Sequence, residues 1–454
     1  DWIRDGIPPA DLWTVDIRRN MPFQINRKYL RERVTESLGL LYATHYPFKQ
    51  YETARGVRKS ALHDRLVAQG ACFGEAFGWE RANWYGEPGS TPEYEYSYGR
   101  QNWFEANAEE CKAVREAVGL FDQSSFAKFR LEGRDACTVL NRVCANDVDV
   151  APGKLIYTQW LNEKGGIEAD LTVTRLSETA YLIVTGAETE VKDFNWLKRH
   201  TPEDAHAVLT NISSGMGVIS IMGPNSRALL QSISPNDLSH EAFPFATSQE
   251  IELGYAIVRA SRITYVGELG WELYIPTEFM AGVYDAIVAA GAAFGLKHCG
   301  YHALNALRME KGYRHWGHDI GEEDTPLQAG LGFAVALDKP GGFIGREALL
   351  RQKAEGALTR RIVQLRLATD GIPPHLYHNE PILRDGQIVG SVTSGAYGHR
   401  IEASLGIGYV SHAGGVTEAW LADGRWEVEV AWRRYPVIAQ FRSWYDPKGD
   451  RMKG

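Results

Sequence analysis

Asn162-Glu163-Lys164-Gly165-Gly166-Ile167-Glu168-Ala169-Asp170-Leu171-Thr172-Val173-Thr174-Arg175 opens as a turn and closes as a strand. Gly165-Gly166 offers the positive φ of a tight hairpin connection. Leu171 and Val173 alternate with Thr172 and Thr174, the period of a half-buried strand. Asp170 is expected where that strand leaves the turn. Asp is a poor strand residue, so its presence there asks for a reason. One reading is a turn carboxylate that accepts backbone N–H groups; the other is a catalytic acid held at a strand mouth.

Outward from this stretch, mixed strands and helices continue without strict βαβ alternation, which predicts an α+β fold. On the N-terminal side, Glu109–Val118 reads as a helix stopped by Gly119, Phe126–Leu131 as a strand and Asp135–Val143 as a helix. On the C-terminal side, strands are expected at Tyr181–Val184 and Val218–Met222, with a helix from Pro224 and a strand pair within Ile257–Ile275. An amphipathic helix at Thr277–Ala290 and a helix at Tyr301–Lys311 ended by Gly312 follow. These elements form one module, expected over residues 100–355.

Beyond it, residues 360–454 are strand-rich. Strands are expected at Arg361–Leu367, Pro381–Leu383, Ile388–Thr393, Ile407–Val410, Thr417–Leu421 and Trp426–Val430. Asp385-Gly386 and Asp423-Gly424 are placed as hairpin turns, and six short strands with close turns suggest a small barrel or sandwich. Upstream, residues 26–95 form a small module. Its opening helix, about Lys28–Leu41, carries Leu30, Val34, Leu38 and Leu41 at helical spacing, and Gly86–Tyr98 is the best linker candidate. Residues 1–25 carry turn signals and no core of their own, and the start at Asp1 reads as a cut or processed end.

The chain has 454 residues, enough for two or three domains. A net charge of −8 argues against general nucleic-acid binding, and no apolar run reaches the ~20 residues of a membrane helix. Five cysteines, odd in number and without a CxxC pair, point to a reducing compartment rather than a zinc site or a disulfide framework. The expected location is cytoplasmic, or the mitochondrial matrix in a eukaryote. GxGxxG, GxxxxGK[ST], HExxH and GxSxG are all missing from the sequence. His315 and His318 have a spacing that permits a shared metal or a pocket wall, and no further His or Cys stands at ligand spacing; no metal is assigned. Tyr265 and Glu272 flank Gly267 and Gly270, so a hairpin would turn both toward one space; a surface hairpin with a solvated Glu272 is the alternative.

Here the chain resembles a known family. Gly119-Leu120-Phe121-Asp122, Asn146-Asp147-Val148, Tyr157, the Gly165–Val173 run, Tyr265 through Glu272, Leu307-Arg308-Met309-Glu310-Lys311-Gly312, Thr325–Leu331, Phe343-Ile344-Gly345 and Gly406-Ile407-Gly408-Tyr409-Val410 occur in the order of the folate-binding aminomethyltransferase, the glycine cleavage T-protein. Their closest resemblance is to the C-terminal half of dimethylglycine and sarcosine dehydrogenases. Tyr51–Arg58 and Gly78-Trp79-Glu80-Arg81 resemble the central domain of those flavin enzymes, and residues 1–20 the end of their flavin domain. The resemblance implies a three-lobed fold with a C-terminal β-barrel, and tetrahydrofolate held between the lobes.

Asp170 matches the catalytic aspartate of the family, and Tyr157, Tyr265, Glu272 and Tyr409 match folate contacts. The implied function is the capture, on folate N5, of the methylene of an iminium made from an N-methyl amine, giving 5,10-methylenetetrahydrofolate. FAD would sit on a domain or subunit outside this chain, and the partners would be that flavin unit and a small N-methyl amine. A stand-alone folate-dependent transferase and a non-catalytic folate-binding subunit are the competing readings. Two departures favour the dehydrogenase branch. Leu304 replaces a folate-contacting arginine of the T-proteins, and Ala169-Asp170 replaces their paired aspartates.

Overall fold

The computed structural model describes residues 2–5, 10–369 and 373–453; the turn signals at Gly6 and Pro8-Pro9 lie outside the described residues. The N-terminal part holds α1 (Trp2–Asp5), α2 (Arg27–Leu40), α3 (His63–Ala68) and a hairpin of β1 (Ala71–Ala76) and β2 (Trp79–Tyr85). Phe77 and Gly78 join the two strands with φ of 53° and 81°, the paired positive values of a two-residue hairpin turn. Asn26 caps α2, its side chain accepting from the N–H groups of Lys28 and Tyr29. The apolar stripe of α2 faces outward. Leu30, Val34, Leu38 and Leu41 are 43–63% exposed, while Tyr29 and Arg33 point inward. The Gly86–Tyr98 stretch has no regular element, yet Tyr94 stacks on Tyr96 at 5.5 Å and bonds Asn83 and His302.

The middle of the chain contains α4 (Phe104–Glu116), β3 (Val118–Asp122), β4 (Ala127–Glu132), α5 (Ala136–Val143), β5 (Leu155–Leu161), β6 (Ile167–Ser177), β7 (Ala180–Thr185), α6 (Glu190–His200), β8 (Val208–Asn211), β9 (Met216–Met222), α7 (Ser226–Ile233), β10 (Ser248–Leu253), β11 (Ala256–Ser261), β12 (Gly270–Pro276), α8 (Met280–Gly291), β13 (Leu296–His298), α9 (Tyr301–Lys311) and α10 (Arg346–Ala354). The strands form two sheets, one ordered β5-β6-β7-β4-β8 and the other β10-β11-β12-β9-β3-β13. Each sheet buries one face under helices. Ala169, Leu171 and Val173 of β6 pack with Val139 and Leu140 of α5 and Leu197 of α6. Trp271, Leu273 and Ile275 of β12 pack with Leu229 of α7 and with Met280, Val283 and Ile287 of α8. That second core also takes in Leu62, Leu66, Ala82 and Tyr85, so the N-terminal hairpin is built onto it.

Period-2 alternation then sends the intervening side chains of β6 and β12 to the opposite faces of their sheets. Two local expectations are corrected here. Asp170 lies within β6 rather than at its mouth, since the strand already begins at Ile167. Gly119 lies inside β3 and does not end α4. Its place in the strand follows from close packing, because a Cβ there would come within 2.5 Å of Val114 and 2.9 Å of the Cys299 sulfur.

The C-terminal part is a closed barrel of β14 (Arg360–Leu367), β15 (Pro381–Arg384), β16 (Gln387–Gly398), β17 (Ala403–Ser411), β18 (Trp426–Val430) and β19 (Arg433–Gln440), ordered β14-β17-β16-β15-β18-β19. The strand expected at Thr417–Leu421 is a helix, α11 (Glu418–Ala422), because the Thr417 side chain accepts from the Trp420 N–H as an N-cap. The turn expected at Asp423-Gly424 is therefore the exit from α11, whereas Asp385-Gly386 does turn with φ of 52° and 81°. Among the described residues no helix is long and apolar enough to cross a membrane, and all five cysteines are free.

Candidate active site

The two inner sheet faces, α9, the loop after it, the barrel and the N-terminal module enclose a cavity of about 1620 Å³. Asp170 and Thr172 reach it from β6, and Glu272 and Tyr274 from β12. Asp170 stands directly opposite Gln159 of β5, whose side-chain amide donates to Oδ1 at 2.9 Å. Tyr157, two residues earlier on β5, also bonds the Asp170 carboxylate. Burial pushes the Asp170 carboxyl up to about 6, against the lowering effect of Gln159, Tyr157, Arg314 and His315. Its proton affinity therefore falls close to neutrality, where a carboxyl group can both take and return a proton.

Glu272 lies across the β12–β9 and β12–β11 pairs from Ser220 and Ser261. Its carboxylate accepts from the Tyr274 hydroxyl at 2.6 Å, and burial raises its pKa against that bond. Tyr265 does not sit on the limb opposite Glu272 as expected. It lies in the loop between β11 and β12, donates to the Arg314 carbonyl at 2.7 Å and stacks on Tyr313 at 5.8 Å. Tyr157 stacks on Phe333 at 6.1 Å, adding a second aromatic wall. Asp170, Tyr157, Tyr265 and Glu272 thus all line one cavity. Tyr409 is different. It is buried in the barrel wall on β17, with the Arg360 guanidinium carbon 3.8 Å from its ring centroid, and it is not among the lining residues.

A reduced pterin requires a carboxylate for its parallel N–H donors and flat aromatic surfaces for its ring. Glu272, with one internal donor, and the Tyr265–Tyr313 and Tyr157–Phe333 pairs supply both, so the residues present fit the group. Leu304 does line the cavity. The nearby arginine, Arg308, is fastened to Asp319 at 2.6 Å, and Asp319 in turn accepts from Thr393 of the barrel at 2.6 Å.

Sequence reasoning left the cavity residues Arg81, Glu188 and Tyr301 without a role, and likewise Gln159, which is buried beside Asp170. Only Gln159 had a usable signal, because counting back across the hairpin puts it opposite Asp170. His315 and His318, weighed as metal ligands, share the cavity wall with rings 4.7 Å apart, and His315 Nε2 lies 3.3 Å from Glu188. Burial pushes the Glu188 carboxyl up, but the hydrogen bond and charge of His315, with Arg81, outweigh it and hold the group at about 2. Among the described residues no group of three His, Cys, Asp or Glu side chains is placed to hold a metal.

Three family matches cover the chain. The FAD dependent oxidoreductase central domain matches residues 5–60, the GCVT N-terminal domain residues 62–339, and the glycine cleavage T-protein C-terminal barrel domain residues 360–446. The chain is 44% identical over its full length to 4-methylaminobutanoate oxidase (formaldehyde-forming) of Paenarthrobacter nicotinovorans, covering 54% of that protein. Human mitochondrial sarcosine dehydrogenase is 36% identical, with all of this chain and 53% of the relative aligned. The chain therefore spans about half the length of these curated relatives. The aminomethyltransferase T of the Bartonella henselae glycine cleavage system has the same fold, with a TM-score of 0.72 at 23% identity over 86% of this chain and 99% of that one. The chain belongs to the glycine cleavage T-protein family of aminomethyltransferases, in the arrangement where an FAD dependent oxidoreductase central domain precedes the GCVT domain.

Proposed function

We propose that this chain is the tetrahydrofolate-dependent one-carbon transfer part of an oxidative N-demethylase acting on a small N-methyl amine, and that its product is 5,10-methylenetetrahydrofolate. The observation that carries the reading is Asp170, a carboxyl poised near 6, sharing one cavity with Glu272 and two aromatic walls. Tetrahydrofolate, when bound, supplies the nucleophilic nitrogens for the methylene. Glu272 accepts the pterin's paired N–H groups, and the Tyr157 and Tyr265 sides confine the ring. Asp170, aimed by Gln159 and Tyr157, takes the proton released when the new C–N bond forms and stabilises cationic charge nearby.

The amine oxidation needs a flavin, and we assign it to an FAD-binding domain or subunit beyond these residues. Two features support that partner. The relatives are about twice as long as this chain, and the outward stripe of α2 lies beside a cavity mouth lined by Ser37, Leu40 and Leu41. The relatives' names put N-methylated amino acids first among candidate substrates.

The test is Asp170→Asn in the flavin-linked protein, fed 4-(methylamino)butanoate and tetrahydrofolate. Amine oxidation and folate affinity stay near wild type, while the initial rate of methylene-folate formation falls about 10²–10⁴-fold and the carbon leaves as free formaldehyde. An unchanged folate product rate removes Asp170 from the mechanism.

A further inference from the structure

The cavity exceeds what one bound cofactor needs. Sites for a single drug-sized ligand occupy roughly 300–1,000 Å³, against about 1620 Å³ here. Arg81 of β2 lies on the wall contributed by the N-terminal module, together with Phe48, Tyr51 and Asn83. Its guanidinium carbon sits 4.0 Å from the ring centroid of Tyr301, the first residue of α9. Tyr301 is itself fixed by a 3.0 Å hydroxyl contact with Ser125.

The other arginines of the cavity wall are committed to partners inside the protein. Arg308 is paired with Asp319, and Arg314 donates to the carbonyls of Gly312 and Ala329. Among the described residues Arg81 has neither a salt bridge nor a side-chain hydrogen bond, and its Nε is buried without a partner. A half-buried guanidinium with no hydrogen-bonded anion leaves donors unsatisfied. Stacking on an aromatic ring holds the guanidinium flat and leaves its N–H edges free, the geometry that receives a carboxylate in two parallel bonds.

Glu188 narrows the choice of carboxylate. It lines the same cavity close enough to Arg81 for the two charges to interact, and it is ionised throughout the neutral range. A fixed negative charge there opposes a polyanion such as a folate tail. It suits a molecule that carries an acid at one end and a cationic nitrogen at the other.

We propose that Arg81, seated on Tyr301, binds the carboxylate of the N-methyl amino acid, or of the iminium derived from it, inside the cavity. Glu188 faces the cationic end. This rests on the folate-transfer reading above and extends it: the one-carbon donor is an amino acid held by its acid group within this chain.

The test is a calorimetric titration of the full chain with 4-(methylamino)butanoate, with N-methylbutylamine as the carboxylate-free probe, and with 5-formyltetrahydrofolate. Wild type binds the amino acid about tenfold or more tighter than the amine, as two charge-assisted bonds require. Arg81→Gln abolishes that difference, Arg81→Lys keeps part of it, and both variants bind folate within about threefold of wild type. Equal amino-acid affinity in wild type and Arg81→Gln overturns the proposal. So does a tenfold loss of folate affinity in Arg81→Gln, which would assign the arginine to the cofactor's own carboxylates. If wild type binds no folate but the Arg81-dependent difference persists, the folate reading fails and the carboxylate site stands.

Discussion

Asp170 carries its charge where charge is disfavoured. Its folded pKa of about 6 lies above the ordinary carboxyl value of 3.8 because burial outweighs Gln159, Tyr157, Arg314 and His315. A carboxyl raised in this way stabilises the fold fully below about pH 4, and the contribution is lost as pH rises through 6. Above that, the ionised group costs on the order of 3 kcal/mol. Asp170→Asn is therefore expected to be more stable than wild type in urea unfolding at pH 8, with the gain fading as pH falls from 6 to 4. Equal stability at pH 8 would mean that the carboxylate is better solvated than its surroundings suggest.

The residue's oddity was visible in sequence, as an Asp amid strand formers, and so was the company of Glu272 and the two tyrosines. Arg81, Glu188 and Tyr301 were not visible, because nothing local marks a side chain whose meaning lies in residues a hundred or more positions away. Tyr409 shows the opposite failure. Its motif pointed to the cavity, but its strand position turns it into the barrel wall.

At the level of elements, the β5–β6 hairpin needs its two glycines for different reasons. Gly165 has φ of 85°, which costs an L side chain about 1 kcal/mol. Gly166 has no positive φ. A Cβ there would lie 1.8 Å from the carbonyl oxygen of Glu322, in the segment whose Gly321 and Asp324 carbonyls accept from the Ile167 N–H. Backbone would have to move, so Gly166→Ala is expected to destabilise by several kcal/mol, more than Gly165→Ala, and to lower one-carbon transfer with it. Urea unfolding of the two variants checks the order, and a milder Gly166→Ala would show that the Glu322 loop yields.

Sequence periodicity found α9 to the residue, since Gly312 supplies its left-handed stop at φ 69°. It failed for β19, where Pro436 and two arginines hide a strand, and for α11, where alternation masked a capping threonine. The apolar stripe of α2 was legible as a helix face, but not as one that the rest of the chain leaves uncovered.

Across the whole molecule, the cavity exists because the separate parts are locked together around it. Arg115 of α4 pairs with Glu310 of α9 at 2.7 Å and with Glu268 at 3.2 Å, and stacks on Tyr445 of the C-terminal segment. Lys311 reaches Asp446 at 2.9 Å, and Asp319 ties the loop after α9 to β16 through Thr393. These buried charges leave the cavity walls little freedom to drift, so Asp170 on one sheet and Glu272 on the other keep a fixed relation. On the proposed function, this space is shaped for a reduced pterin held by Glu272. Calorimetric titration of 5-formyltetrahydrofolate into wild type and Glu272→Gln tests it most directly. The account predicts one site per chain and an affinity at least about tenfold weaker in the variant, since a bidentate charge-assisted pair is lost; no binding by wild type, or equal affinity in the two proteins, would contradict it.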